Sequence, residues 1–376
     1  MCHPVKRCAR RTTKVEAYPP SVRIAIGTRK GLWLATDDHG SWQVSQPLQD
    51  MAEFASVAWI PRPGDQMRLL AGARSWFWGP TVMMSDDGGA TWTEPASGAV
   101  TFPPDTGAAV ERIWTLEPDP ATDDVVWAGA EPHSLWRSTD GGASFELNRA
   151  LWDHPHRPNW MGGAGGPAIH NVHRRADGST YVAMTGGGVY RSADGLTEWA
   201  PANRGISASF MPDPDPEYGQ CVHRLAIDAA NPDRMYVQNH GGVFRSDDGG
   251  VRWAEISDGL PESEFGFVVL AHPSRGDTVW VIPIRAETML PADGDLLVWK
   301  TEDAGATWTP CGEGLPSDFY AAVLRDAAHV IEHDGVAVLA FGTRNGLVFV
   351  STDEGVSFTQ VADNLPDVLS LRICAA

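Results

Sequence analysis

One short pattern recurs along the chain at nearly constant intervals. Written Ser/Thr-x-Asp-x-Gly-x-x-Trp/Phe, it stands as "SDDGGATW", "STDGGASF", "SDDGGVRW", "TEDAGATW" and "STDEGVSF", and two weaker copies read "ATDDHGSW" and "SADGLTEW". The seven copies end at Trp42, Trp92, Phe145, Trp199, Trp253, Trp308 and Phe358, which gives a period of 50 to 55 residues. A period of this size indicates a repeat architecture that spans nearly the whole chain.

Each repeat shows the same internal order of short apolar runs. In the fifth unit the runs are "CVHRLAID", "RMYVQNH", "GVFRS" and "RWAEI", and turn residues such as "NPD" separate them. Helical periodicity is almost absent. Four short strands in each of seven units predict an all-β fold, namely a seven-bladed β-propeller with four-stranded antiparallel blades.

The two ends of the chain complement each other in this scheme. The first unit begins directly with "VRIAIGT" and lacks one strand, so we expect the C-terminal run "VLSLRI" to complete the first blade and close the ring. Residues 21–376 are therefore predicted to form a single propeller domain. Residues 1–20 lack the apolar stretch of a secretory signal and are predicted to be either a disordered extension or residues before a later start of the native chain.

The recurring motif resembles the Asp-box, or BNR repeat, of sialidase-like and sortilin-like propellers and of photosystem assembly factors. The layout over residues 21–376 also resembles bacterial BNR-repeat proteins that are often labelled glycosyl hydrolases. In physical terms, Ser246 and Asp248 can hydrogen-bond to their own hairpin, Gly250 tolerates a positive φ, and Trp253 packs on adjoining strands. The motif lacks the ligand alternation of a calcium loop and the ending of a phosphate loop. It therefore predicts a structural turn between the third and fourth strands.

Charge and composition exclude several classes of partner. The formal net charge of −19 argues against nucleic acid as a partner. No run of about 18 apolar residues is present, so a membrane span is not predicted. The five cysteines are scattered without CxxC spacing, which indicates free thiols and predicts a cytoplasmic location.

The candidate binding face is the one opposite the motif turns, where the turns between second and third strands meet the connections between blades. Its arginines suit a carboxylate or phosphate because guanidinium groups bind such anions in a bidentate manner. The alternative is that these arginines pair with some of the 48 acidic residues. Two long connections, 149–170 and 205–223, predict a lid. The candidate ligand-binding residues are Arg29, Arg74, Arg112, Gln238, His240, Arg285, Arg344, Trp76, Trp160 and Tyr320.

Histidines provide a second kind of candidate chemistry. Aligning the innermost strands puts Arg112, His170 and His223 at about equivalent positions at the axial mouth, with His240 one turn above. His170, His223 and His240 are candidate ligands of a divalent metal such as zinc, with Glu131 or Glu287 as fourth ligand or general base. The same histidines also suit acid–base catalysis without a metal, or packing in the core.

The resemblance to sialidases implies a tyrosine nucleophile, three arginines, six blades and an early Phe/Tyr-Arg-Ile-Pro signature. The chain lacks that signature and has seven units, which argues against a classical sialidase. Two functions remain open. The first is binding of a small anionic or sugar-like molecule at the axial mouth, with glycosidase-like or metal-assisted hydrolase or lyase chemistry. The second is a protein-interaction scaffold without catalysis, which an exposed "SWFWGP" segment would favour.

Overall fold

The computed structural model describes residues 22–38, 40–62, 66–95, 99–163, 165–193, 195–209, 211–261 and 265–375. The predicted disordered extension, 1–20, lies outside these ranges. One short α-helix, α1 (Arg149–Trp152), and three 3-10 turns, Pro104–Thr106, Arg157–Asn159 and Ala292–Gly294, accompany the strands. None of the described helices is long and apolar enough to cross a membrane.

Twenty-seven strands make up the described fold, and they are short because a turn follows each apolar run. In chain order they are β1 (Val22–Thr28), β2 (Leu32–Asp38), β3 (Ser41–Val44), β4 (Glu53–Arg62), β5 (Gln66–Ser75), β6 (Gly79–Ser85), β7 (Arg112–Pro118), β8 (Val126–Glu131), β9 (Ser134–Ser138), β10 (Glu146–Leu147), β11 (Ile169–Arg174), β12 (Thr180–Met184), β13 (Gly188–Ser192), β14 (Ala200–Pro201), β15 (Val222–Ile227), β16 (Met235–Asn239), β17 (Gly242–Ser246), β18 (Ala254–Glu255), β19 (Gly266–Ala271), β20 (Val279–Pro283), β21 (Val298–Thr301), β22 (Thr309–Cys311), β23 (Val323–His333), β24 (Val336–Thr343), β25 (Val348–Ser351), β26 (Thr359–Ala362) and β27 (Val368–Ala375).

The strands form the seven predicted blades. Blades three to six are the antiparallel sheets β7–β10, β11–β14, β15–β18 and β19–β22, and blade seven is β23–β26. Blade two contains β4, β5 and β6, and an isolated bridge between Met84 and Thr93 stands where a fourth strand would be. Blade one has the order β27-β1-β2-β3. The fold class predicted from the repeat is confirmed.

The C-terminal strand closes the ring. Strand β27 pairs with β1 in antiparallel register and so becomes the innermost strand of blade one. The innermost strands β27, β4, β7, β11, β15, β19 and β23 contact one another in that cyclic order, and β23 returns to β27. Apolar side chains fill the spaces between blades. Tyr181 of β12, for example, packs with Leu225, Val237 and Phe244 of the next blade.

The recurring motif folds as a hydrogen-bonded turn after the third strand of a blade. In blade five the Ser246 hydroxyl donates to Asp248 Oδ1 (2.8 Å) and accepts from the Gly250 N–H (2.9 Å). Asp248 Oδ1 also accepts from the Arg252 N–H (2.9 Å). The same set of bonds recurs in the turns that begin at Ser85, Ser138, Thr301 and Ser351. The motif therefore serves the fold.

The motif aromatics also tie neighbouring blades together. The Trp253 indole N–H donates to the Ala202 carbonyl in the preceding blade (2.8 Å), and the Trp308 indole N–H donates to the Ile256 carbonyl (2.7 Å). Within blade five, the Gly249 N–H donates to the Asp233 carbonyl in the turn between β15 and β16 (2.9 Å). The motif turns thus share one face of the ring with the turns between first and second strands.

Candidate functional site

A cavity of about 1100 Å³ opens on the face opposite the motif turns. Its walls come from the innermost strands, from turns between second and third strands, and from the two long connections, around residues 159–163 and 165 in the first and 211–221 in the second. The two connections contact each other at the rim, where the His156 ring stacks on Tyr218 with 4.2 Å between centroids. The Asn159 side-chain amide donates to the Tyr218 hydroxyl (3.2 Å). They therefore form an ordered wall of the cavity.

Irregular register in the innermost strands determines which side chains reach the cavity. A β-bulge adds an unpaired residue to a strand and redirects its side chain. Such an extra residue stands at 369 in β27, 55 in β4, 114 in β7, 170 in β11 and 223 in β15. In β19, residues 267 and 268 lie opposite Ile282, and in β23, residues 324–327 lie opposite Gly342. Cavity-lining residues from these irregular positions include Leu369, Ala55, Trp114, His223, Phe267 and Arg325.

Arg325 is a buried cation in the cavity wall. Its exposed fraction is 9%, and the guanidinium lies over the rings of Trp114 and Phe267, at 5.4 and 5.1 Å from their centroids. Its Nε has no hydrogen-bond partner, and within the described residues no carboxylate forms an ion pair with it. Gly165 passes so close that a Cβ there would lie 3.1 Å from Arg325 Nη1. The guanidinium of Arg325 is therefore packed against aromatic faces on the protein side and borders the cavity on the other side.

The electrostatic cost of this position is visible in its acid–base behaviour. Burial lowers the pKa of Arg325 to about 10, against the opposing influence of Cys221 and Asp326. The guanidinium therefore stays charged at neutral pH although the surroundings disfavour the charge.

Next to Arg325, the innermost strands carry a network of hydrogen-bonded charged side chains. Arg372 donates to Asp326 Oδ1 (2.7 Å) and to Glu117 Oε1 (2.8 Å). Arg224 donates to the backbone carbonyls of Arg325 and Ala328. Burial raises the pKa of Asp326 to about 6 despite the neighbouring Arg372, and its Oδ2 has no hydrogen-bond partner. Arg372 and Arg224 therefore differ from Arg325, because each of them donates hydrogen bonds to acceptors in the protein.

Three of the predicted arginines line the cavity, and all three are in ion pairs. Arg112 Nη2 lies 2.8 Å from Glu53 Oε1, and Arg29 Nη1 lies 3.3 Å from Glu53 Oε2. Arg344 Nη2 lies 3.1 Å from Asp367 Oδ2. The other two arginines lie outside the cavity lining: Arg74 Nη2 is 4.0 Å from Glu111 Oε2, and Arg285 Nη2 is 3.1 Å from Asp293 Oδ1.

The structure separates the predicted histidines. His223 and His240 line the cavity with their rings 5.8 Å apart. His170 lies behind the cavity wall, 1% exposed, with its Nε2 bonded to the Thr185 hydroxyl and its ring against Trp114. The expected equivalence of Arg112 with His170 and His223 is wrong, because the bulge residue of β7 is Trp114. A slip of two residues in the alignment caused the error.

Burial keeps these imidazoles neutral. It lowers the pKa of His223 to about 3, with a further contribution from Arg325. It also lowers the pKa of His240, and it takes the pKa of His170 well below the ordinary value. A neutral imidazole can accept a hydrogen bond or bind a metal, whereas proton donation near neutral pH would require the imidazolium form.

The remaining candidates lie outside the cavity lining. Glu131 accepts from the Trp114 indole N–H (3.0 Å), and Glu287 is exposed. Gln238, 1% exposed, donates to the Gly242 carbonyl (3.3 Å). Trp160 is buried and donates to the Tyr190 hydroxyl (3.0 Å). Trp76 and Tyr320 are exposed at the surface.

Sequence reasoning missed Arg325 and Cys221, which both line the cavity. Cys221 Sγ and one ring nitrogen each of His223 and His240 lie within 4.8 Å of one another. Cys221 stands directly before β15, two residues from His223, and this spacing was the one available signal. No sequence signal pointed to Arg325, because it lies in an apolar run that is typical of a buried strand.

The fold and the cavity define a class: a seven-bladed propeller with a buried cationic group at the axial mouth. A family model described as the DUF6242 beta propeller domain matches residues 156–372. The chain belongs to that family.

More distant similarities point to enzymes and to other propellers. A xyloglucanase of Paenibacillus sp is 27% identical over 296 residues, which cover 66% of this chain and 26% of that protein. A xyloglucanase of Hypocrea jecorina (strain QM6a) is 24% identical over 368 residues, which cover 89% of this chain and 42% of that protein. The chain thus spans less than half the length of either relative. The sialidase-like resemblance stays a prediction.

Solved structures support the fold alone. YCF48 from Cyanidioschyzon merolae has a TM-score of 0.52 at 13% identity and covers 93% of this chain and 96% of its own. An ancestral GH74 enzyme has a TM-score of 0.51 at 15% identity and covers 88% of this chain and 39% of its own.

Proposed function

We propose that the central cavity binds a small molecule that carries a carboxylate or phosphate group, with Arg325 as its anchor. The observation that carries the proposal is the buried guanidinium of Arg325, which borders the cavity and forms no ion pair with a carboxylate of the described residues. An isolated buried charge costs several kcal/mol unless a partner compensates it. A bidentate anion supplies such a partner with charge-assisted hydrogen bonds.

The surroundings of Arg325 suggest the rest of the ligand. Trp114, Phe265 and Phe267 offer aromatic faces, and Glu53 and Tyr218 offer polar atoms farther up the wall. Apolar walls with a few polar groups are typical of small-molecule sites. An acidic sugar, or a hydroxylated carboxylate of similar size, combines an anion for Arg325 with a ring face and hydroxyl groups. This class unites the anionic and sugar-like ligands predicted from the sequence.

Glycoside hydrolysis is the reaction we propose for this site. Two observations support it: the similarity to xyloglucanases, and the presence of the carboxyl groups of Glu53 and Asp326 in the cavity lining. Glycosidases use one carboxylic acid as proton donor and a second carboxylate as base or nucleophile. Asp326 suits the acid because burial raises its pKa to about 6. Glu53 suits the role of the second carboxylate, which acts as base or nucleophile.

A ligand screen tests the binding proposal directly. Thermal shift and calorimetry with uronic acids, hydroxy acids, sugar phosphates and neutral sugars should give saturable binding for anionic compounds and little for their neutral analogues. The Arg325→Gln variant should lose this binding at unchanged fold. Equal affinity for neutral and anionic sugars, or full binding by Arg325→Gln, would refute the assignment. Release of reducing ends from acidic oligosaccharides, lost in Glu53→Gln, would support hydrolysis; binding without turnover would limit the site to recognition.

A protein-interaction scaffold remains the second candidate because of one exposed segment. Trp76, Phe77 and Trp78 are exposed by 102%, 80% and 45% in the turn between β5 and β6. Neighbouring exposed aromatics of this kind are typical of an interaction surface. Affinity purification from the native host, comparing wild type with Trp76→Ser/Phe77→Ser, should identify a stoichiometric partner that depends on these side chains. If both forms recover the same proteins, the surface is not an interface.

A further inference from the structure

Cys221, His223 and His240 form a cluster of metal-ligand side chains in the cavity wall. Their candidate ligand atoms lie within 4.8 Å of one another, and all three residues line the cavity. The backbone holds them together, because the His240 N–H donates to the Cys221 carbonyl (3.0 Å) where the turn after β16 meets the start of β15. His223 occupies the bulge of β15. Two adjacent strands of one blade therefore position all three side chains.

The orientation of His223 suits a metal ligand. Its Nδ1 lies 2.6 Å from the Gly266 carbonyl oxygen, so this nitrogen carries the proton and donates. The lone pair then stands on Nε2. Metal-binding histidines in proteins almost always donate their second ring nitrogen to a carbonyl or carboxylate in this way. The ring of His223 is 2% exposed and packed against Phe265 and Phe267, which fixes its plane.

Hydrogen bonds hold the Cys221 side chain in the cavity wall. Burial raises the pKa of the Cys221 thiol, while hydrogen bonds from the Gly186 backbone N–H and the Thr185 hydroxyl and the positive charge of Arg325 act in the opposite direction. A divalent metal ion displaces the thiol proton when it binds, because a coordinated thiol is deprotonated. Thr185 is in turn bonded to His170, and its carbonyl oxygen lies 2.7 Å from His133 Nε2. This second layer of contacts gives His170 a role in positioning Thr185, in place of the ligand role predicted from the sequence.

We propose that Cys221, His223 and His240 bind one divalent transition-metal ion of the zinc type, with a fourth position open to the cavity. One thiolate and two imidazoles are a ligand set that zinc prefers, and three protein ligands with an open position are typical of its reactive sites. Tetrahedral coordination needs ligand atoms about 3.5 Å apart, so candidate ligand atoms that now lie within 4.8 Å of one another must approach by up to about 1 Å when the metal binds. The inference goes beyond the anion site at Arg325 and does not depend on it.

Co²⁺ is a suitable probe because its absorption spectrum shows which ligands bind it, and a titration gives its affinity. The full chain, purified without a histidine tag and freed of metal, should bind one equivalent of Co²⁺ with a thiolate-to-cobalt charge-transfer band and tetrahedral visible bands. Zinc should displace the cobalt. Cys221→Ser should abolish the charge-transfer band. His240→Ala should lower the affinity by more than the 10–100-fold that loss of a second-shell contact costs.

Matched controls separate this site from the other thiols and from the anion site. Cys311→Ser and Cys374→Ser remove other free cysteines, and Cys2→Ser/Cys8→Ser removes those outside the described residues; all should keep the cobalt spectrum. Arg325→Met should also keep it. If Cys221→Ser binds cobalt with an unchanged spectrum, or if wild type binds less than one equivalent at micromolar concentration, the metal site is refuted. Because His240 lies on a turn, His240→Ala tests the site even where a His223 variant misfolds.

Discussion

Replacing Arg325 by methionine is expected to stabilise the protein while it abolishes anion binding. Methionine has a similar length and can keep the contacts with Trp114 and Phe267 without the charge. Arg325 differs in this respect from a structural arginine such as Arg372, whose guanidinium pairs with Asp326 and Glu117. Removing an unpaired buried charge relieves a penalty, whereas removing one member of a buried pair creates a new unpaired charge.

The expected magnitude follows from the position of Arg325. Its pKa of about 10 corresponds to a penalty of about 3 kcal/mol against the charged form. The two aromatic rings return about 1 to 2 kcal/mol through cation–π contacts. We therefore expect Arg325→Met to raise the free energy of unfolding by about 1 to 2 kcal/mol. In a protein of this size the melting temperature rises by about 2 °C or more.

Arg372→Met is the matched control, since it removes an equally buried arginine from the same axis. It should lower the free energy of unfolding by about 3 to 5 kcal/mol because Asp326 and Glu117 lose their shared cation. Scanning calorimetry of wild type and both variants, with and without the best anionic ligand of the screen, measures stability and binding together. If Arg325→Met melts as low as Arg372→Met, then Arg325 has a structural partner and the anchor assignment fails. If it retains ligand stabilisation, the ligand binds elsewhere.

Three further predictions concern the motif turns, acid stability and the exposed aromatics. Asp248→Ala should lower the free energy of unfolding by about 1 kcal/mol through lost turn hydrogen bonds, with ligand affinity unchanged by calorimetry; loss of binding at unchanged stability would contradict its structural role. Burial lowers the pKa of His133 to about 4, so the unfolded chain takes up its proton near pH 6.5 and stability falls as the pH drops from 6.5 to 4. His133→Gln should flatten that part of a stability–pH curve, and an unchanged slope would contradict the assignment. Trp76→Ser should leave the melting temperature and anion binding at wild-type values, because its side chain is fully exposed; a lower melting temperature would indicate packing.

The repeat was sufficient to predict the ring because each copy carries its own local physics. A Ser-x-Asp-x-Gly turn satisfies its own backbone groups, so the motif folds in the same way in every strong copy and marks the end of the third strand. Seven copies then fix the blade number, and the missing first strand points to β27. The repeat also predicted which face of the ring carries the site, because the motif turns occupy the other face. Arg29, Arg112, Arg344, His223 and His240 do meet in one cavity.

The composition of the cavity wall was less accessible to sequence reasoning because bulges have no periodic signal. One extra residue in β7 places Trp114 where Arg112 was expected. Four residues of β23 opposite Gly342 alone bring Arg325 and Asp326 to the axis from a run that otherwise resembles a buried strand. The partners of the arginines were equally hidden, because Glu53 and Asp367 come from distant units. The cytoplasmic location and the domain boundary at residue 20 stay predictions.

The two faces of the ring divide stability and recognition between different residues. The motif turns, the interblade tryptophan bonds and the guanidinium of Arg372 have their hydrogen-bond partners within the protein, so they contribute to the fold without a ligand. Among the described residues of the cavity lining, the Nε of Arg325 and the Oδ2 of Asp326 are buried polar atoms without a hydrogen-bond partner. Proteins of marginal stability retain such groups at a cost, and they concentrate where a bound ion or molecule supplies the missing partner. Because Arg325 and Asp326 border the same cavity, that cavity is the place to look for the ligand.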